Sequence, residues 1–239
     1  MHAIDPGPLS NKLLAALPRE AFELLRPHLT TIGLAQGTVL FEVGNEIDQI
    51  YFPLSGMISL VAVMKDGKAI ETATVGREGV VGAMAGLGLH RTRVRALAQL
   101  PIFASQISAS HLRKAAIASK AVADLCVRYN EVLLEQARIT AACNALHPIE
   151  ARFCRWLLQS YDRAESDTIQ LTQEFLSEML GVRRTSVTEV AIKIQAVGAI
   201  SYTRGVIFIN STHSRRWLAS AMRRCEKRTA RLMLHTGDR

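Results

Sequence analysis

LTQEFLSEMLGVRRTSVTEVAIKIQ, residues 171–195, is the stretch whose reading decides the fold. Two short apolar-periodic segments flank Gly181, and two arginines follow almost at once. Thr172 stands before Gln173-Glu174-Phe175 as an N-cap, its hydroxyl serving the free backbone donors of a helix start. Leu176, Met179 and Leu180 supply the inner face of a first helix. Gly181 falls where a tight turn between crossed helices needs a residue that tolerates positive φ. Ser177, four positions earlier, is small enough to let the second helix cross closely, and Val182 packs in the turn. Val187, Val190 and Ile194 then form a buried stripe at spacings of three and four. A small residue, the turn glycine and apolar residues one, six and nine positions beyond it make the spacing of a helix-turn-helix. An ordinary helical hairpin would not need so many matched positions.

In that motif the second helix lies in the DNA major groove with its first turn against the base edges. Arg183, Arg184, Thr185 and Thr188 occupy that turn and the outward face, and Thr172, Ser186 and Glu189 complete the expected contact set. Two cations at a helix start oppose the helix dipole. They become favourable once a phosphate or a guanine edge faces them. The next segment, AVGAISYTRGVIFINS, gives two strands joined at Arg204-Gly205, the pattern of an appended wing. Arg204 at its tip is placed for a backbone phosphate, a contact that positions without reading sequence.

Working outward, 239 residues suffice for one large or two modest domains, at about 150 residues each. A 49% hydrophobic and 21% charged composition is that of a globular chain. No apolar run approaches a membrane span, and MHAIDPGPLSNKLLAALPREAF lacks the basic-then-apolar plan of a signal peptide, so the expected location is cytoplasmic, with no membrane contact. Cys126, Cys143, Cys154 and Cys225 show no close paired spacing, which argues against a zinc or iron–sulfur site and predicts reduced, packed thiols. Oxidation sensing by Cys126 and Cys143 is the alternative. The net charge of +8 is concentrated after His213, where eight Arg or Lys face two acids, the balance of a polyanion binder or of a solvated basic helix.

Residues 8–29 read as helical, with Pro18 just inside a start followed by Phe22, Leu24, Leu25 and Leu29. From about Thr31 to Ile107, GTVLFEV, IDQIYFPLSG, MISLVAVM and AIETATV are short β-type runs, with an Asp66-Gly67 hairpin signal between the last two. This is the pattern of an antiparallel barrel or roll. Residues 109–146 contain no Gly or Pro and predict one long helix. With Val122, Tyr129, Gln136 and Cys143 at heptad position a, position d falls on Leu125, Val132, Ile139 and Leu146, a seam fit to pair with its own copy. Gln136 would fix its register. The other reading is an amphipathic helix packed only on its own barrel. His147-Pro148 ends it. PIEARFCRWLLQSYDR then reads as a helix with Phe153, Trp156, Leu157 and Tyr161 inward, and STHSRRWLASAMRRCEKRTARLML as a basic helix with Arg215, Arg216, Arg223 and Arg224 outward and Trp217, Leu218, Ala221 and Met222 packing back.

The expected fold class is therefore α+β: a jelly-roll-like β-roll over 1–108, a dimerisation helix over 109–146, and a winged helix-turn-helix domain over 147–239. In that order, these parts resemble the Crp/Fnr family of bacterial transcription regulators, most specifically at LTQEFLSEMLGVRRTSV and GAISYTRGVIFI. The resemblance implies a homodimer on an approximately palindromic promoter in double-stranded DNA, with RNA polymerase as a further partner. It also implies an N-terminal signal-sensing domain. Where relatives reading the cAMP-receptor site carry Arg-Glu, this chain has Arg184-Thr185, and where they carry a further arginine it has Glu189. Arg184 can still take a guanine, worth about 1–3 kcal/mol of discrimination. Glu189 either accepts from a cytosine amino group or pairs with a lysine.

The family's cyclic-nucleotide binders resemble one another in a Gly-Glu stretch followed by Arg-Ser/Thr. Here Gly82-Ala83 stands for the first, removing the ribose acceptor, and Arg91-Thr92 for the second. Those four with Arg128 form the candidate effector pocket, while Asn130 and Gln136 are further polar groups on the long helix. No cofactor is expected: cAMP loses its carboxylate, haem has only His90 and His111 as conceivable ligands, and an iron–sulfur cluster lacks its cysteines. An unidentified small molecule, or no ligand, remains. No Walker, GxSxG, HExxH or Rossmann pattern occurs, so an enzyme is not expected. The competing class is a sensor or scaffold whose winged helix contacts protein instead of DNA.

Overall fold

The structure, a computed structural model, describes residues 7–164, 166–209 and 216–220. It divides into two compact units, one of residues 1–67 and 71–137, the other of 68–70 and 138–239. The dividing point thus falls inside the long helix, not at its end.

The first unit opens with two short helices, α1 (Lys12–Ala15) and α2 (Arg19–Leu25), each next to a turn of 3₁₀ helix. The continuous helix expected over 8–29 is broken because Asn11 and Pro18 both sit at N-caps. Asn11 is fully buried and satisfied at every position. Its Oδ1 accepts from the Leu13 and Leu14 amides at 3.0 and 3.1 Å, and its Nδ2 donates to the Pro53 and Gly79 carbonyls, both at 2.9 Å. One amide therefore caps α1 and ties it to the end of the strand Gln49–Pro53 and to the loop at Gly79.

The roll is built from β1 (Thr30–Leu34), β2 (Val39–Phe41), β3 (Gln49–Pro53), β4 (Ile58–Val63), β5 (Ala69–Val75), β6 (Arg95–Ala98) and β7 (Ile102–Ser108). They form two sheets, ordered β1-β7-β3 and β2-β6-β4-β5. The β1–β7, β3–β7, β2–β6 and β4–β6 pairs are antiparallel, with Thr30 opposite Gln106 and Leu60 opposite Ala96. Ile50, Phe52, Ile58, Val75, Ala96, Ala104 and Ile107 meet between the sheets in one buried cluster.

The helical stretch after the roll is two helices, α3 (Ala109–Ala118) and α4 (Lys120–Leu146). The backbone at Ser119 is extended, and the Ser119 carbonyl accepts from the Val122 and Ala123 amides. Serine is a preferred helix cap, so the interruption needs neither Gly nor Pro. One face of α4 packs into the roll through Val122, Cys126 and Tyr129. The contact at Tyr129 is close enough to dictate a glycine: a Cβ at Gly79 would lie 1.9 Å from the phenol oxygen. Gln136 does not act as an open polar position, since its Oε1 accepts from the Thr74 amide at 2.6 Å.

The second unit contains α5 (Ile149–Ala164), β8 (Thr168–Gln170), α6 (Gln173–Leu180), α7 (Arg184–Ala196), β9 (Ser201–Thr203) and β10 (Val206–Phe208). Phe153, Trp156 and Leu157 of α5 are buried as expected. Tyr161 is only half-buried, its hydroxyl donating to Asp167 at 2.9 Å. The three strands form a sheet ordered β8-β10-β9. Of the basic C-terminal segment, residues 216–220 are helical with Leu218 buried; Arg215, Ala221, Met222, Arg223 and Arg224 lie outside the described residues.

Replacing Asn11 by Ala removes the cap and strands two buried carbonyls, at a combined cost of about 2–4 kcal/mol. The Asn11→Ala protein should therefore melt several degrees below the wild type by calorimetry; an unchanged melting temperature would show that these bonds contribute nothing net.

Candidate functional site

The helix-turn-helix is assembled around one αL residue. Gly181 has φ 61° and ψ 41°. Its amide donates to the Glu178 carbonyl and the Val182 amide to the Ser177 carbonyl, both at 3.0 Å, the paired bonds of a Schellman stop. Arg152 of α5 donates to the Leu180 carbonyl, covering a further free acceptor at that helix end. Leu176, Met179 and Leu180 of α6 are buried, as are Val187, Val190, Ala191 and Ile194 of α7, so their opposite faces meet solvent.

The two helix starts differ in a way that matters. Thr172 caps α6, its Oγ1 accepting from the Phe175 amide at 3.2 Å. Arg183 occupies the cap position of α7 and supplies no side-chain cap. The first-turn amides of α7 therefore lack a side-chain acceptor, beside the exposed Arg183, Arg184 and Thr185. Arg184 is 66% exposed and reaches Glu174 only at 4.0 Å, a loose surface pair that leaves the guanidinium easily redirected.

Beside this start stands the hairpin of β9 and β10. Arg204 and Gly205 have φ values of 51° and 78°, a two-residue turn with both central residues left-handed. Thr203 pairs with Val206, which puts Arg204 at the tip. The hairpin is held to the start of α6: the Tyr202 hydroxyl donates to the Leu171 carbonyl at 2.8 Å, and the Leu171 amide to the Gly205 carbonyl at 2.7 Å. Burial raises the Tyr202 pKa, and the Arg184 charge acts in the opposite sense, so the wing and the first turn of α7 are within electrostatic reach.

A second feature lies in the first unit. A cavity of about 220 Å³ opens between the roll and α4, lined by Phe41, Leu60, Gly82, Ala83, Arg91, Thr92, Arg93 and Val94 from the roll side and by Cys126, Tyr129, Asn130 and Leu133 from α4. Thr92 is buried with its hydroxyl already engaged, donating to the Val94 carbonyl at 2.7 Å and accepting from the Val94 amide at 3.2 Å. Burial pushes the Cys126 thiol up to about 11, so it is protonated at neutral pH and is a poor nucleophile.

Comparison with known proteins bears on both features. Residues 32–118 match the cyclic nucleotide-binding domain and residues 151–213 the Crp-like helix-turn-helix domain. The chain belongs to the Crp/Fnr family. Solved structures agree in fold. FixK2 from Bradyrhizobium japonicum is 17% identical with a TM-score of 0.68, over 81% of this chain and 96% of that one. A Crp/Fnr regulator from Eubacterium rectale is likewise 17% identical at 0.68, over 92% and 100%. The c-di-GMP responsive regulator Clp from Xanthomonas campestris is 17% identical at 0.66, over 82% and 100%. No curated protein sequence matches the chain.

As a Crp/Fnr protein the chain is a DNA-binding transcription regulator with a sensor-type N-terminal domain. Its expected DNA-contact residues sort into two groups. Thr172, Arg183, Arg184, Thr185, Glu189 and Arg204 are exposed. Ser186 and Thr188 are half-buried, and Thr188 Oγ1 is already shared between Gln173 Oε1 at 2.9 Å and the Arg184 carbonyl at 3.1 Å. Thr188 thus braces α7 against α6. Two residues escaped the sequence reading: Gln173, whose position after a Thr cap put it on the outer turn of α6, and Ile192, an apolar side chain 58% exposed on α7.

The effector set needs correction. Gly82, Ala83, Arg91 and Thr92 do line the cavity, but Arg128 does not; it borders a separate groove beside Leu13, Leu17 and Val132. Asn130, about half a turn round the helix from Arg128, takes the polar position. The dimer set divides as well. Val122, Tyr129 and Cys143 are buried within the chain and Gln136 is bonded to Thr74, so the a positions are not open to a partner. Leu125 is half-buried, and Val132, Ile139 and Leu146, at d positions, are 55, 52 and 49% exposed. Among the described residues no helix is long and apolar enough to cross a membrane, and no group of three His, Cys, Asp or Glu could hold a metal.

Proposed function

We propose that the protein acts as a homodimer that binds an approximately palindromic promoter site through the first turn of α7 and adjusts that binding to a signal received in the N-terminal roll. The observation that carries the DNA half is the uncapped, doubly cationic start of α7 beside a wing tipped by Arg204. A helix end with open amides and two arginines gains stability when a phosphate or a base edge supplies the acceptors. Arg184 reads a guanine, and Arg183 and Arg204 hold backbone phosphates. Ile192 is suited to a thymine methyl group. RNA polymerase is the expected further partner.

The dimer half rests on the exposed stripe of Val132, Ile139 and Leu146, apolar side chains at seven-residue intervals on one long helix. Burying such a stripe against its copy removes apolar surface that is costly to leave in water. Two copies of α7, set one turn of duplex apart, then meet two half-sites.

Two outcomes are expected. Selection from a random DNA library should yield a palindrome for the wild type, and Arg184→Ala should lose preference at one base pair per half-site, by about 1–3 kcal/mol, while keeping salt-sensitive nonspecific affinity; an unchanged consensus would remove Arg184 from the reading set. Val132→Glu should give monomers by light scattering; a dimeric variant would place the interface away from α4.

A further inference from the structure

The wall of the cavity in the first unit is chemically lopsided. Its interior is apolar, with Phe41, Leu60, Val81, Val94 and Leu133 among the contributors. Arg91 and Arg93 line it from exposed positions, and no Asp or Glu is among the described residues that line it. Neither arginine makes an ion pair among the described residues; the Glu42 carboxylate is taken by Arg95 at 2.8 Å. The uncharged polar groups offer little. The Thr92 hydroxyl is closed into its own turn. The Tyr129 phenol is held against Gly79. The Cys126 thiol is neutral. Asn130 alone remains on α4.

This inventory disfavours a sugar. The wall offers ribose hydroxyls few side-chain acceptors, Asn130 chief among them, and an unpaired buried polar group is costly. It favours a ligand with one negative end and a hydrocarbon body: the charge answers the two arginines at the rim, and the body displaces water from apolar walls. The volume sets the scale. About 220 Å³ is below the range of drug-sized sites, so the ligand is small.

We propose that the cavity binds a small organic carboxylate with an aliphatic or aromatic body, held by Arg91 and Arg93 at the rim and packed against Cys126, Tyr129 and Leu133 of α4. This rests on the reading of the first unit as the signal-receiving part and names the class of signal. Because four of the wall residues belong to α4, occupancy presses directly on the helix whose exposed face carries the Val132 and Ile139 stripe.

The test uses the full chain and four probes: octanoate, its uncharged counterpart octanol, inorganic phosphate and cAMP. Calorimetric titration should show saturable binding of octanoate at least tenfold tighter than of octanol, with neither phosphate nor cAMP binding. The double variant Arg91→Gln/Arg93→Gln should lose that tenfold preference, while Ala83→Phe, which fills the cavity, should abolish octanoate binding. Tighter binding of cAMP than of octanoate overturns the proposal, as does absence of octanoate binding by a folded wild type. Octanoate binding that survives both substitutions also overturns it, by placing the ligand on the exposed apolar face of α4. Promoter binding by the ligand-free wild type, measured in parallel, is the separate check on the regulator: it can succeed while every carboxylate probe fails, or fail while octanoate binds.

Discussion

The second unit depends on the left-handed turn at Gly181. A helix has four carbonyls at its end and four amides at its start with no partner inside it. Here α6 closes its end through the Glu178 and Ser177 carbonyls and through Arg152, so the turn is completed by the chain's own groups. The start of α7 receives no such closure, because the residue at its cap is an arginine. A folding unit that closes the Ser177, Glu178 and Leu180 carbonyls at one helix end and gives the next helix start no side-chain cap beside two cations leaves that start suited to an outside acceptor. Thr188, bridging Gln173 and the α7 backbone, and Tyr202, bridging the wing and Leu171, hold the open end in a defined place.

In the first unit the corresponding constraint is the double use of α4. One face is consumed by the roll through Val122, Cys126 and Tyr129, and the Gln136 amide is spent on the β5 backbone at Thr74. The apolar d positions Val132, Ile139 and Leu146 are left outside. A helix that forms the wall of a cavity on one side and presents an apolar stripe on the other can sense occupancy and association together, by packing alone, since closely packed interiors transmit small displacements.

The elements most legible in the sequence were those whose chemistry is local. The Gly181 turn, the Thr172 cap and the Arg204-Gly205 hairpin each depend on residue types within four positions, and the structure has all three. The strands from Val39 to Val75 were legible from alternation and punctuation. The heptad on α4 was less so: a 3.5-residue period tells that a helix has an apolar seam, not whether the seam faces its own roll or another copy. Here the a positions face inward and the d positions from Val132 onward face outward, a division set by contacts from β5 and the Gly79 loop, far away in sequence. The break at Ser119 was signalled by a cap residue, but the absence of Gly and Pro outweighed it. That Asn130 and not Arg128 lines the pocket is not legible in the sequence, because helix-face assignments two residues apart need the helix phase, which comes only from packing.

The central claim is that paired α7 helices read DNA from their open first turns. It is tested most directly by hydroxyl-radical footprinting of the full-length protein on its selected site. Two protected half-sites related by a dyad and centred about one helical turn apart, roughly 34 Å, are the expected result. A single uncentred footprint, or protection that shows no dyad and survives high salt unchanged, would contradict it.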